Sequence, residues 1–110
     1  MKVSSDVEIA IEKVTEYLLK KRDDSDKSQY LSMAGYTIDN SPQLIEDLKA
    51  QMLVHDAILI DSNIYGDKYQ IRGILKGPNG KKLDVISVWM NESTTGQWKF
   101  ITLFPARRKG

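Results

Sequence analysis

The side chains able to do chemistry in this sequence are few in kind. Cysteine is absent and His55 is the single histidine, which removes a thiolate nucleophile, a thiolate metal site and any two-histidine mechanism. The sequence contains no Gly-rich phosphate loop ending in Lys-Ser/Thr, no dinucleotide fingerprint, no His-Glu-x-x-His helix and no Gly-x-Ser-x-Gly elbow. Lys, Arg, Tyr, Ser, Thr and the carboxylates remain. With aromatic rings among them, that set suits contact with RNA: cations meet phosphates, hydroxyls hydrogen-bond them, and an aromatic face stacks a base. Asp23, Asp24 and Asp26 cluster at a helix start, but they lack the Asx/Gly/Glu spacing of a calcium loop, and capping with the helix macrodipole accounts for them. No metal and no other cofactor is expected. His55 follows a helix, where an imidazolium would favour the C-terminal end of the dipole, and no catalytic partner lies near it in sequence.

The elements that must position these groups come from an ordinary globular composition: 110 residues, 41% hydrophobic and 28% charged, which is read as one domain over residues 1–110. The first residues lead into a charged pattern and not an apolar leader, and no stretch approaches the roughly 18 apolar residues of a membrane span. A cytoplasmic address is the expectation. The formal charge of +1 conceals an asymmetry. Residues 1–55 carry seven Lys/Arg against ten Asp/Glu, whereas residues 56–110 carry nine against five. A basic C-terminal half suits a polyanionic partner, though solvation of the surface explains it too.

A helix is predicted over about residues 6–21, with Ser5 as N-cap, Glu8 closing a capping box, and Val7, Ile11, Val14 and Leu18 as its apolar stripe. Glu12, Lys13, Glu16 and Lys20 form its solvated face. A second helix is expected over about 26–34 with Gly35 as left-handed C-cap, and a third from Ser41-Pro42 to about residue 53, burying Leu44, Ile45, Leu48 and Met52. After His55 the period becomes strand-like: 57–61, 68–76, 82–91 and 98–105. Gly77-Pro78-Asn79-Gly80 joins the second and third runs as a hairpin turn. The fold class is α+β: N-terminal helices, over about 5–54, packed on a three- to four-stranded, mostly antiparallel sheet over about 57–105.

Alternation places Leu83, Val85, Ser87 and Trp89 on one face of the third strand, and in the fourth it sets Phe100, Thr102 and Phe104 against Ile101 and Leu103. If one face stays open, Trp89 or Tyr69 could stack a base beside the cations of this half, Arg72 among them; such a stripe also serves as core.

The ordered set Lys27-Ser28-Gln29-Tyr30-Leu31-Ser32-Met33-Ala34-Gly35-Tyr36-Thr37, Tyr65-Gly66-Asp67-Lys68-Tyr69, Gly73-Ile74-Leu75-Lys76-Gly77-Pro78-Asn79-Gly80-Lys81, Val88-Trp89 and Ile101-Thr102-Leu103-Phe104-Pro105 resembles a family of small bacterial domains of unknown function. Its pattern includes Tyr-Gly-x-Lys-Tyr, Gly-Pro-Asn-Gly-Arg and Thr-Val-Trp, and its members occur alone, in mobile elements and at the C-termini of secreted toxins. The layout is similar, more distantly, to the barnase, EndoU, colicin and RelE-like metal-independent RNases. The resemblance implies Lys27, Tyr65, Lys68, Ser87 and Thr102 as a catalytic set with Trp89 stacking a base, and the reading of the sheet residues adds Tyr69 and Arg72 as RNA contacts. Lys27 or Lys68 would stabilise a pentacoordinate phosphate, and Tyr65, Ser87 or Thr102 would hydrogen-bond it. RNA supplies its own 2′-hydroxyl as nucleophile. The family often carries a His in the loop before the Lys-containing helix, where this chain has Arg22-Asp23-Asp24-Ser25-Asp26.

Two functions therefore compete. One is a toxin-type, metal-independent RNase acting on tRNA or other RNA and neutralised by a cognate immunity or antitoxin protein. The other, favoured by the missing loop histidine, is a non-catalytic interaction module or inhibitor of prophage or mobile-element type.

Overall fold

The computed structural model of the chain describes residues 2–4, 6–19 and 27–106, and of residues 16–18 and 27 the backbone only. The expected Ser5 cap, the end of the first helix, the acidic residues Asp23, Asp24 and Asp26, and the basic residues Arg107, Arg108 and Lys109 lie outside the described residues.

The order of elements is a π-helical turn Lys13–Leu18, helix α1 Lys27–Ser32, a 3-10 turn Ile38–Asn40, helix α2 Ser41–Met52, then strands β1 Ile58–Asn63, β2 Gly66–Lys76, β3 Lys82–Glu92 and β4 Trp98–Pro105. The strands form one antiparallel meander in the order β1-β2-β3-β4. Helices segregated from an antiparallel sheet make this an α+β fold, as the change of period after His55 indicates.

The helix punctuation is as the sequence suggests at Gly35 and shifted by one residue at α2, where Asn40 is the N-cap and Ser41, expected as cap, is the first helical residue. Gly35 sits at φ +93°, and the Tyr36 N–H donates to the Leu31 carbonyl, closing α1. Asn40 lies at the N-cap position of α2 and Pro42 in its first turn, where the missing N–H costs nothing. Along α2, Leu44, Leu48 and Met52 are fully buried and recur every fourth residue. They meet Ile71, Leu75, Val85, Trp89, Phe100 and Leu103 from the sheet in one core, together with Leu31, Ala34 and Tyr36.

The first segment departs from expectation. Residues 6–10 are not helical: Glu8 pairs in parallel with Lys99, its N–H donating to the Trp98 carbonyl and its carbonyl accepting from the Phe100 N–H, both at 3.0 Å. The edge of β4 offers backbone groups that need partners, and β-branched Val7 and Ile9 suit an extended chain. Val3 and Val7 are buried, while Ile11, expected in the buried stripe, is exposed. Helical hydrogen bonding begins only near Lys13, with the Leu19 N–H reaching the Val14 carbonyl.

Two bulges set the faces of the sheet. In β1, Leu59 pairs with Tyr69 and Asp61 with Lys68, leaving Ile60 as the extra residue. In β4, Thr102 pairs with Val88 but Phe100 with Trp89, leaving Ile101 extra. Simple alternation is thereby broken. Phe100 and Leu103 both point into the core, whereas Thr102 and Phe104 belong to the opposite, outer face, away from α2.

Candidate functional site

Pairing across the strands lays the outer face out in rows. One row runs Lys68, Met90, Lys99; the next Gln70, Val88, Thr102; the third Arg72, Ile86, Phe104. Three of the residues singled out from sequence, Lys68, Arg72 and Thr102, are thus brought to a common face, the row of Thr102 lying between those of Lys68 and Arg72. Apolar Ile86, Val88 and Met90 run between them along β3. Arg72 is exposed and makes a two-point contact with Asp84, Nη2 to Oδ2 at 2.9 Å and Nε to Oδ1 at 3.3 Å. The hydrogen bond to that carboxylate, more than its charge alone, raises the guanidinium further above its ordinary value. Lys99 pairs with Glu92 at 3.2 Å. Lys68 lies opposite Asp61 of β1.

Thr102 also lines a pocket of about 380 Å³ with Glu12, Lys13 and Ile101. Lys13 Nζ donates to the Ile101 carbonyl at 3.0 Å, satisfying an acceptor at the bulge. A smaller pocket of about 210 Å³ continues past Lys13 to Glu8, Lys99 and Phe100. Two acids, two cations and a hydroxyl are therefore grouped where the N-terminal segment meets β4.

The remaining expected site residues are placed elsewhere. Ser87 and Trp89 are fully buried on the inner face. Ser87 Oγ donates to the Ile71 carbonyl at 3.3 Å and accepts the Trp89 indole N–H at 2.8 Å, while the Trp89 ring packs edge-on against Phe100 with centroids 5.1 Å apart. Trp89 offers no face to a base, because the inner face is where the helices pack. Tyr69 is half-buried on that same face, its ring 5.1 Å from that of Trp98. Tyr65 is 71% exposed in the β1–β2 turn. Its N–H donates to Asn63 Oδ1, and its carbonyl accepts from Ser93 N–H. The eight residues do not converge on one surface. Lys27 opens α1, and its side chain lies outside the described residues. One turn further along α1, the Tyr30 hydroxyl donates to the Asp84 carbonyl at 2.9 Å. Burial lifts that phenol above its ordinary pKa.

Sequence reasoning missed Lys13 and Lys99 as members of the Thr102 group. It placed Lys13 on the solvated face of a helix and counted Lys99 only as charge. Both placements follow from the parallel bridge at Glu8 and the bulge at Ile101, which leave little mark on periodicity. His55 closes α2 as expected, its N–H donating to the Met52 carbonyl, and its ring lies over Gly73, where a Cβ would come within 2.9 Å of it. Among the described residues, no group of three or more His, Asp or Glu is placed to hold a metal ion. No described helix is long and apolar enough to cross a membrane.

No curated protein matches this sequence. A solved structure described as a contact-dependent growth inhibition toxin–immunity protein complex from Klebsiella pneumoniae 342 shares the fold, with a TM-score of 0.64 and 17% identity over 94% of this chain and 97% of that one. At that identity the likeness concerns the fold. The model of a family described as a domain of unknown function, DUF6883, matches residues 2–107, nearly the whole length, and the chain belongs to that family.

Proposed function

We propose that the domain is a toxin-type RNase that lays RNA on the outer sheet face and needs no metal, the 2′-hydroxyl of the substrate serving as nucleophile. The observation that carries this reading is the sharing of one face by Lys68, Arg72 and Thr102, with Lys13 and Lys99 at the same end of β4. Lys68, Arg72 and Lys99 would hold phosphates on either side of the scissile one, and the apolar strip of Ile86, Val88 and Met90 would lie under sugar and base. Thr102 would hydrogen-bond a non-bridging oxygen as charge develops, with Lys13 as the neighbouring cation. In the step itself the 2′-oxygen bonds to phosphorus, losing its proton to a base, and the 5′-oxygen leaves and is protonated. The products are a 2′,3′-cyclic phosphate and a 5′-hydroxyl. The likeness to a toxin–immunity complex supports a toxin-related setting and a cognate protein partner.

The test is incubation of the folded protein with total bacterial RNA in EDTA, comparing wild type with Thr102→Ala, Lys13→Ala and Lys27→Ala. Discrete cleavage lost in Thr102→Ala supports the reading; intact RNA in every lane overturns it. A second reading, a non-catalytic module binding a toxin or other protein, is favoured by the burial of Ser87 and Trp89, which takes a hydroxyl from the resemblance's catalytic set and the stacking ring from its RNA contacts. Intact RNA together with normal growth of a host overproducing the domain would support that alternative.

A further inference from the structure

Cleavage through the 2′-hydroxyl of RNA needs a base within hydrogen-bond reach of that hydroxyl. The 2′-oxygen attacks the phosphorus of the adjoining linkage, so the base must share a cavity with the groups that hold the scissile phosphate. In the reading above those groups are Thr102 and Lys13. The cavity they line, about 380 Å³, has Glu12 and Ile101 as its other described walls, and that volume suits a small-ligand site. Lys13 is a cation whose Nζ is turned to the Ile101 carbonyl. Of the four residues, Glu12 alone brings a carboxylate, the proton acceptor that the step requires.

Other described acids and bases are placed or engaged elsewhere. Glu8 Oε2 accepts from Gln97 Nε2 at 3.3 Å, and Glu8 lines the smaller pocket beside Lys99. Glu92 pairs with Lys99, and Asp84 with Arg72. The His55 ring lies over Gly73, across the sheet from Thr102. Glu12, by contrast, is exposed and precedes the π-helical turn without making a capping hydrogen bond. Among the described residues its carboxylate has no hydrogen bond or ion pair that would give it a structural duty.

Two irregular elements meet at this cavity. Lys13 opens the π-helical turn, and Ile101 is the extra residue of β4. Both kinds of irregularity are found disproportionately at functional sites, and a bulge re-aims the side chains beside it.

We propose that Glu12 is the general base of the cleavage, the carboxylate that takes the 2′-hydroxyl proton while Thr102 and Lys13 hold the phosphate; this rests on the RNase reading above. As the proton passes to Glu12, the 2′-oxygen bonds to phosphorus and the bond from phosphorus to the 5′-oxygen breaks. The departing 5′-oxygen takes a proton from water, and the hydroxide so formed recovers the proton held by Glu12.

The test is the rate of cleavage of total bacterial RNA in EDTA, with protein in excess so that chemistry is read apart from turnover. Wild type should show a rate that rises with pH along an acid limb between about pH 4 and about pH 8. Glu12→Gln should lower the rate by about 10²–10⁴-fold and lose that limb, with an unchanged circular dichroism spectrum and thermal midpoint. Glu12→Asp should keep part of the activity, and added formate should restore cleavage to Glu12→Ala but not to Thr102→Ala. Glu46→Gln, which removes an exposed carboxylate on α2, should cleave as wild type does. Cleavage by Glu12→Gln at the wild-type rate, or an acid limb that persists in it, would overturn the assignment of Glu12 and leave the RNase reading standing. Intact RNA with folded wild type would overturn both.

Discussion

Ser87 and Trp89, two residues apart on the same face of β3, are tied together by the indole N–H donating to Ser87 Oγ at 2.8 Å, and both are fully buried. A buried donor that loses its acceptor costs about 1–3 kcal/mol. Ser87→Ala should therefore lower the unfolding free energy by about that amount, read from the urea midpoint. Ser87→Thr, which keeps the hydroxyl, should lose less. If the proposed RNase activity holds and Ser87 serves the core alone, the folded Ser87→Ala protein cleaves RNA as wild type does; loss of cleavage at an unchanged urea midpoint would show that Ser87 does more.

Tyr36 supplies a pH signature. Its hydroxyl donates to Asp47 Oδ2 at 2.5 Å and lies 3.1 Å from the Lys76 carbonyl oxygen. Burial, reinforced by that carboxylate, holds its pKa well above the ordinary phenol value of 10.0. Above that ordinary value the unfolded chain releases the phenolic proton and the folded chain keeps it, so the unfolded state binds fewer protons and stability falls as pH rises. Thermal unfolding followed from about pH 8 to about pH 11 should show a declining midpoint. Tyr36→Phe should be less stable at neutral pH by about 1 kcal/mol and should decline less steeply in alkali.

The two glycines that bracket the β2–β3 turn should behave differently. A Cβ on Gly77 would stand 2.0 Å from the Ala34 carbonyl oxygen, a backbone atom with no freedom to move aside. The turn is pinned there further by Asn79, whose N–H reaches the Ala34 carbonyl and whose side chain reaches the Met33 carbonyl. Gly77→Ala should separate the turn from the end of α1 and cost several kcal/mol, on the order of 3 or more. Gly80, at φ +87° with open space around its Cβ position, should cost about 1 kcal/mol as Ala, from backbone conformation alone. Equal losses in the two variants would contradict the close packing at Gly77.

Exposed cations on the outer face are predicted to act on RNA and not on the fold. Arg72→Ala should leave the thermal midpoint nearly unchanged, since its pair with Asp84 is solvated. If RNA lies on this face, the same change weakens RNA affinity and lowers the slope of log affinity against log salt by about 1, as should Lys68→Ala. A salt slope identical to that of wild type in both variants would place RNA elsewhere.

Much of the architecture is legible in the sequence because each signal there is local. Gly35 and Gly80 need left-handed backbone, Ser41-Pro42 starts a helix, and the Gly-Pro-Asn-Gly turn fixes the register of β2 on β3. The site is less legible because it depends on pairings distant in sequence. The spacing of Val7, Ile11 and Val14 reads as helix, yet Glu8 is held extended by backbone groups of Trp98 and Phe100, some ninety residues away. Ser87 and Trp89 alternate correctly, but alternation cannot say which face the helices cover. The apolar run 58–60 reads as a strand but says nothing of its place in the sheet, and among the described residues it is an exposed edge with no strand beyond it.

The extra residue in β4 bears on how relatives are compared. Everything before Ile101 in that strand keeps one parity and everything after it keeps the other, so a position counted from Trp98 and one counted from Pro105 disagree about which side of the sheet they occupy. A strand of the same length without the bulge would turn the hydroxyl of Thr102 inward or Phe100 outward, exchanging core and surface over half the strand with no change in residue type. Family members are therefore best aligned with a gap allowed at this point. A Thr that matches Thr102 in a gapless alignment, in a chain without the bulge, occupies the interior.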